Sequence, residues 1–141
     1  MRRDGALLLL RLASGGVFVV FGAGKFINHA SELASFRAYA LPAPEVLVIA
    51  VGAIEVVGGL LLISGILIRP AALVLAVDMI GAIIVSGIAR GELISLTLAP
   101  AQLIAMIVLL HSRAGRWSLT MGRPVLAARC VHVRRQASRW M

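Results

Sequence analysis

The residue that most needs explaining is Glu55, the single carboxylate in the run "VGAIEVVGGLLLISG" at residues 51–65. Nothing beside it in sequence can hydrogen-bond it, so it must be neutralised, solvated or paired by a group from elsewhere in the chain. Arg11, Lys25, Asp78 and Gln102 stand in comparably apolar surroundings. A charged side chain at such a position costs about 3 kcal/mol on insertion scales, and apolar bundles form without one, so its presence points by default to a site. The chemistry open to this set is proton transfer by Glu55, with a cation to orient a polar ligand group. A structural reading stands beside it, in which Glu55 only neutralises Arg11 or Lys25. For Asp78 and Gln102 the structural reading carries more weight. His29 and His111 fall at opposite ends of the apolar runs, which argues against a haem held between them. The lone Cys130 allows no internal disulfide, dithiol relay or multi-cysteine metal site, and no metal is expected.

The elements that must position these groups follow from composition. Of 141 residues, 60% are hydrophobic and 14% charged, and the mean hydropathy is +0.99. Such a chain is too apolar for a soluble domain of its length. Four apolar runs, at about residues 6–27, 46–68, 71–89 and 93–110, each approach or exceed the ~20 residues that cross a bilayer core as a helix. The expected fold is an all-α membrane protein, a four-transmembrane-helix up-and-down bundle over residues 1–111 followed by a basic cytoplasmic tail, 112–141. The start, "MRRDGALLLLRLASGG", resembles a secretory signal, but Arg11 interrupts its apolar region and hydrophobicity continues to Phe26, so the first span is expected to be retained.

The net charge of +8 and isoelectric point near 11.7 would suggest nucleic-acid binding in a soluble chain. The placement excludes it, because the basic residues collect at the ends of apolar runs. With four spans, Arg2, Arg3, Arg69, Arg113, Arg116, Arg123, Arg129, Arg134, Arg135 and Arg139 share one side, against Arg37 and Arg90 in the loops of the other. The positive-inside rule then puts both termini in the cytoplasm, and the expected location is a bacterial inner membrane. The tail, with Trp117 and Trp140 as interface anchors and Cys130 on the cytoplasmic side, is expected to bind anionic lipids. The connection 28–45 is the longest. A short interfacial helix over 31–39, capped by Ser31 and ended by "LPAP", fits it. Pro70 suits the first turn of the third span, and the short "ARGEL" connection makes the third and fourth spans antiparallel neighbours.

Helical spacing sets the faces. On the first span Arg11, Gly15, Phe18, Gly22 and Lys25 recur at intervals of three and four, and small residues mark the side of a membrane helix that packs closely. The charged face is therefore the packed face. Gly52, Glu55, Gly59 and Leu62 form a similar stripe on the second span. Asp78 shares a face with Ala71, Ala82 and Ser86, and Gln102 with Ser95, Leu98 and Ala105. At 1.5 Å per residue Glu55 lies about 15 Å, Asp78 about 12 Å and Gln102 about 13 Å from the nearer end of their helices, so the three converge near the midplane. Arg11 lies below that level and Lys25 above it. Arg11 is the expected partner of Asp78, and Glu55 reaches either cation if Lys25 points inward.

The succession "RLASGGVFVVFGAGKF", then "LPAPEVLVIAVGAIEVVGGLLLISGILIRPAALVLAVDMIGA", then "GRWSL" resembles the DoxX/DoxD family of small bacterial membrane proteins over about residues 11–120. Arg11, Gly15, Gly22, Lys25, Glu55, Gly59, Gly65 and Arg69 match its pattern. Asp78 and the tail beyond Thr120 do not. The resemblance implies four transmembrane helices. Some relatives are described as the membrane subunit of a thiosulfate:quinone oxidoreductase, and others as membrane partners of thiol or oxidative-stress enzymes. The implied function is a redox-linked membrane subunit, with quinone as the candidate cofactor and a soluble oxidoreductase as the candidate partner, alongside the lipid bilayer and a second copy of the chain. One alternative is a small proton-coupled transporter, disfavoured because the glutamate is on the wrong helix, the arginine bias forbids dual orientation and no aromatic residue lies near Glu55 in the sequence. Another is a non-catalytic anchor or assembly subunit.

Overall fold

The computed structural model describes residues 2–112, and the expected basic tail, with Cys130, Trp117 and Trp140, lies outside them. Among the described residues the chain is helical throughout: α1 (Arg2–Ile27), α2 (His29–Ala38), α3 (Pro44–Ser64), α4 (Ile68–Ala82, continued by a π-helical segment, Ile83–Ile88) and α5 (Leu93–His111). Four of these are long and apolar enough to cross a membrane: Asp4–Ile27, Pro44–Ser64, Ile68–Ile88 and Leu93–His111. The expected all-α, four-span, up-and-down bundle is the fold observed.

Helix ends follow local chemistry. Pro44 opens α3, where its missing N–H is no loss. Gly65 ends α3 in the left-handed region, φ 77°, and returns its N–H to the Leu61 and Leu62 carbonyls. That turn closes the second span four residues earlier than the apolar run suggested, because residues 66–68 belong to the connection and to α4. Leu67 is left-handed too, at φ 50°, a conformation that costs a branched residue about 1–2 kcal/mol and that the short reversal imposes. Pro70 falls two residues inside α4, and Gly91, at φ 68°, turns the chain from α4 into α5. Pro100 inside α5 has no N–H to return to the Leu96 carbonyl. In α2 the expected cap is corrected. The helix starts at His29 after Asn28, no side chain caps it, and Ser31 instead gives its carbonyl to the Ser35 hydroxyl.

The spanning helices form a ring. α1 packs most extensively on α3 and α4 on α5, α3 joins the two pairs, and the seam between α1 and α5 is the slightest of the four. The α1–α3 pair is tight because glycines face each other. A Cβ added at Gly15 would lie 2.7 Å from the Gly59 carbonyl oxygen, and one at Gly22 2.8 Å from that of Gly52. Backbones can approach this closely only without side chains between them. The apolar core lies on the other side, where Leu62, Ala72, Leu75, Met106 and Leu109 are fully buried. α2 buries none of its residues and rests across the end of the bundle.

Candidate functional site

Lys25 and Glu55 meet. The Lys25 Nζ lies 2.6 Å from Glu55 Oε2, with 13% and 6% of the two side chains exposed. Lys25 stands in the last turn of α1, one turn beyond Gly22, where the α1 and α3 backbones come close. Its stem runs back toward the N-terminal side, as helical side chains do, and so descends to the level of Glu55. Glu55 is buried between Gly52 and Gly59 on the stripe that faces α1.

The pair lines a cleft of about 100 Å³ at the α1–α5 seam. Val17, Phe18, Phe21 and Lys25 form the α1 wall, Ile94, Ser95, Leu98, Ala99 and Gln102 the α5 wall, with Glu55, Met79 and Ala82 between them. Phe21 and Ile94 are exposed, so in a bilayer the rim of the cleft faces lipid. The lining is otherwise apolar, and its polar groups are the ion pair, the Ser95 hydroxyl and the Gln102 amide. The Gln102 Oε1 is buried and accepts no hydrogen bond among the described residues. The pair engages Glu55 Oε2 and leaves Oε1 without a hydrogen-bond partner among the described residues, while the Lys25 ammonium has donors to spare. The cleft therefore presents donors, acceptors and an exchangeable proton to whatever enters it.

Arg11 is not part of this site. Its Nε donates to the Leu62 carbonyl at 3.0 Å and a terminal nitrogen to that of Ile63 at 3.4 Å. These are carbonyls of the last turn of α3, which lack the i+4 donor of a helix interior, the Leu62 oxygen sharing the Gly65 N–H, and the negative end of the helix dipole favours a cation there. The expected Arg11–Asp78 pair is thus corrected: among the described residues no Cα of α1 comes within 8 Å of one in α4, and α3 offers Arg11 its acceptors at Leu62 and Ile63. Asp78 is half-buried, and its buried Oδ2 accepts no hydrogen bond among the described residues. It lies within electrostatic range of Lys25 and Glu55 but does not line the cleft. The structure therefore brings Lys25, Glu55 and Gln102 together and leaves Arg11 and Asp78 apart from them. His29 starts α2, and the His111 ring bonds the Ile107 carbonyl at the other end of the bundle. Among the described residues no group of histidine, cysteine and carboxylate side chains could hold a metal ion.

A second polar array adjoins the cleft and escaped the sequence reading. The Tyr39 hydroxyl donates to Glu92 Oε2 at 3.1 Å, the Ser95 hydroxyl donates to the same oxygen at 3.0 Å, and Ser86 and Ser95 hydroxyls lie 2.6 Å apart. Ser86 is also 2.8 Å from the Ala82 carbonyl. Burial raises the proton affinity of the Tyr39 phenol above its ordinary value, and the bond to Glu92 adds to it. Ser86 and Ser95 were each placed on inward faces. Their meeting depends on the π-helical turn and the Gly91 reversal, for which the residues carry no periodic signal.

A ring of four spanning helices whose first two internal faces are joined by glycines and a lysine–glutamate pair is the arrangement on which the comparison with known proteins bears. The family model DoxX matches residues 6–88, and the chain belongs to that family. The match holds α1 to α4, with Arg11, Lys25 and Glu55. α5, which supplies one wall of the cleft, lies beyond it. A Bacillus subtilis (strain 168) protein named "Putative oxidoreductase CatD" is 39% identical over 77 residues, which is 55% of this chain and 56% of that protein. The aligned stretch is thus little more than half of the relative's length. No solved structure matches the chain.

Proposed function

We propose that the protein is a redox-linked membrane subunit that receives a quinone head group in the α1–α5 cleft. The observation that carries this reading is the Lys25–Glu55 pair on the wall of an apolar cleft whose rim, at Phe21 and Ile94, faces lipid. A ligand with a polar ring and a long apolar tail suits that arrangement, the ring among Lys25, Glu55 and Gln102 and the tail in the bilayer. Two electrons come from a soluble oxidoreductase partner, and reduction of the quinone to quinol takes up two protons. Lys25 orients a ring oxygen by hydrogen bonding, and Glu55 supplies a proton and is reprotonated. The name of the Bacillus subtilis relative is consistent with redox chemistry.

The same reading places the chain in a bacterial inner membrane with both termini in the cytoplasm. Arg2, Arg3 and Arg69 then lie on the inside, and the arginine-rich segment after residue 112 faces the anionic leaflet. An exporter fits the site less well. A cleft of about 100 Å³ is small beside the ~300–1,000 Å³ typical for drug-sized ligands, and a cationic substrate would first have to displace Lys25 from Glu55. An anchor would need no cleft at all.

The test uses native membranes carrying wild type or Glu55→Gln at matched abundance, with the oxidoreductase that co-purifies with the protein supplying electrons. An amide keeps the hydrogen bond to Lys25 but cycles no proton at neutral pH. Quinone reduction should be lost in the variant while dye efflux stays unchanged. Unchanged quinone reduction rejects the role given to Glu55, and loss of efflux alone favours the exporter.

A further inference from the structure

We propose that protons enter the cleft from the membrane face that carries α2, collected by Glu92 and passed inward by the Ser95 hydroxyl. The inference deepens the proposed function, since it rests on Glu55 as a group that exchanges protons, and it gives roles to residues that the redox reading leaves unused.

The geometry is graded from water to interior. Glu92 is exposed, Ser95 is half-buried and lines the cleft, and Ser86 is buried. A serine hydroxyl has one proton to give and two lone pairs with which to accept. The same oxygen positions therefore support two complete hydrogen-bond orders. With Glu92 ionised, Ser86 donates to Ser95 and Ser95 donates to Glu92. With Glu92 protonated, Glu92 donates to Ser95, Ser95 to Ser86, and Ser86 to the Ala82 carbonyl, which lies 2.8 Å away. Neither order leaves a buried hydroxyl without a partner, so Glu92 can change protonation without disrupting the array.

Helix capping does not account for these contacts. Glu92 occupies the position before α5, yet its side chain makes no bond to the free N–H groups of that helix. Its Oε2 accepts from the hydroxyls of Tyr39 and Ser95 instead. The π-helical segment that carries Ser86 is held by further bonds across the turn, Glu92 N–H to the Ser86 carbonyl at 3.2 Å and Gly91 N–H to that of Gly87 at 2.7 Å. π-Helical turns occur often where a helix is shaped for function.

In the transfer Ser95 gives its proton to a water molecule in the cleft, which passes one to the Glu55 carboxylate. Ser95 takes the Glu92 proton in return, and Glu92 is reprotonated from bulk water. Only O–H bonds form and break, and one proton moves inward. The charged groups that face this route are Lys25, paired with Glu55, and Asp78 and Glu32, whose charges also reach Glu55. Glu92 faces Tyr39, which Glu32 also influences, and Arg90 lies in the same connection. Arg37 is engaged with Glu45 at 2.9 Å.

The test needs no electron donor, so it can fail while the redox reading stands. The full chain is reconstituted in vesicles, its orientation is fixed by protease access to the connection between α2 and α3, and the buffer on one face is jumped in pH. The protonated-carboxyl infrared band that disappears in Glu55→Gln reports proton arrival. A jump on the α2 face should raise that band in wild type. Ser95→Ala, nearly the same size, should slow the rise about a hundredfold, the lower end of general acid–base effects. Glu92→Gln should do the same, and Ser95→Thr, which restores a hydroxyl, should recover the rate. A rise equally fast in Ser95→Ala, or one that answers only to the opposite face, overturns the route. A wild-type band that answers to neither face overturns both the route and the proton role of Glu55.

Discussion

Arg11 and Lys25 stand on one face of α1, about 21 Å apart along its axis at 1.5 Å per residue, and both turn toward α3. Their partners differ in kind. Arg11 meets backbone carbonyls at the end of α3 and lies 6% exposed. Lys25 meets a carboxylate beside an open cleft. An arginine with its forked N–H groups suits the several carbonyls of a helix end and holds its charge under all conditions. A lysine is a single flexible point charge whose partner can gain or lose a proton. The contrast separates a cation held by the carbonyls of a helix end from one paired with a carboxylate on a cleft wall, the cation to which the proposed function gives a ligand.

The largest effect that could break this contrast belongs to Glu55. Replacing it by Ala leaves the Lys25 ammonium buried without a counter-charge, a loss of about 3 kcal/mol or more. Lys25→Met in the same chain should recover most of it, and Arg11→Met should recover none. Unfolding in mixed detergent micelles measures all four chains. Equal recovery by the two methionine variants would mean that both cations serve Glu55 and that the contrast is false. Glu55→Gln alone, which also lacks the counter-charge but keeps an acceptor for the Lys25 ammonium, should fold and lose much less than Glu55→Ala.

Arg11→Met comes next. It strips the last turn of α3 of a charged donor, at about 2 kcal/mol for hydrogen bonds of this kind. Since no carboxylate is involved, Asp78→Asn should add its own effect independently. Coupling between the two would restore the pairing expected from the sequence. The folded fraction of Arg11→Met should keep whatever quinone-linked activity the wild type has.

How much of this was legible varies with the kind of interaction. The four spans and the inward stripes were readable because hydropathy and a 3.6-residue period report burial directly, and the glycine faces could be assigned for the same reason. The partners of the cations were harder. A sequence displays carboxylates but not the carbonyls at a helix end that still have a lone pair to offer, so it points Arg11 to Asp78, the next charge in the interior. Gly65 carried the missing signal, because a glycine closing α3 puts Leu62 and Ile63 in its last turn, near the level of Arg11. Ser14, buried on the same face as Arg11, went unnoticed because serine is ordinary in a membrane helix. The array from Tyr39 to Ser86 joins three separate segments, and no local pattern could have assembled it.

The glycines between the two cations set a smaller effect. Gly22→Ala adds a Cβ 2.8 Å from the Gly52 carbonyl oxygen, and forcing the helices apart there should cost about 1 kcal/mol or somewhat more. Gly24→Ala, two residues on, meets nothing within 4 Å and should be neutral or slightly stabilising through helix propensity. If the two behave alike in the same unfolding assay, close backbone contact does not hold Lys25 at Glu55, and the pair forms through side-chain reach alone.

The smallest effect on stability is the most telling for the cleft. Gln102 brings a buried Oε1 that bonds to nothing among the described residues, so an apolar side chain of similar size relieves a desolvation penalty without breaking a bond. Gln102→Leu should therefore unfold within about 0.5 kcal/mol of wild type, or slightly later. A residue kept only for packing would show nothing more. A residue that donates to or accepts from a bound ring would also weaken quinone-analogue binding, by about tenfold for the loss of one ordinary hydrogen bond. Binding is measured by titrating a short-tailed quinone analogue against purified protein in nanodiscs, with Arg11→Met as the variant expected to bind normally. Equal affinity in Gln102→Leu and wild type would confine the cleft's chemistry to the lysine–glutamate pair. Weakened binding in Arg11→Met would show that the two ends of α1 are coupled after all.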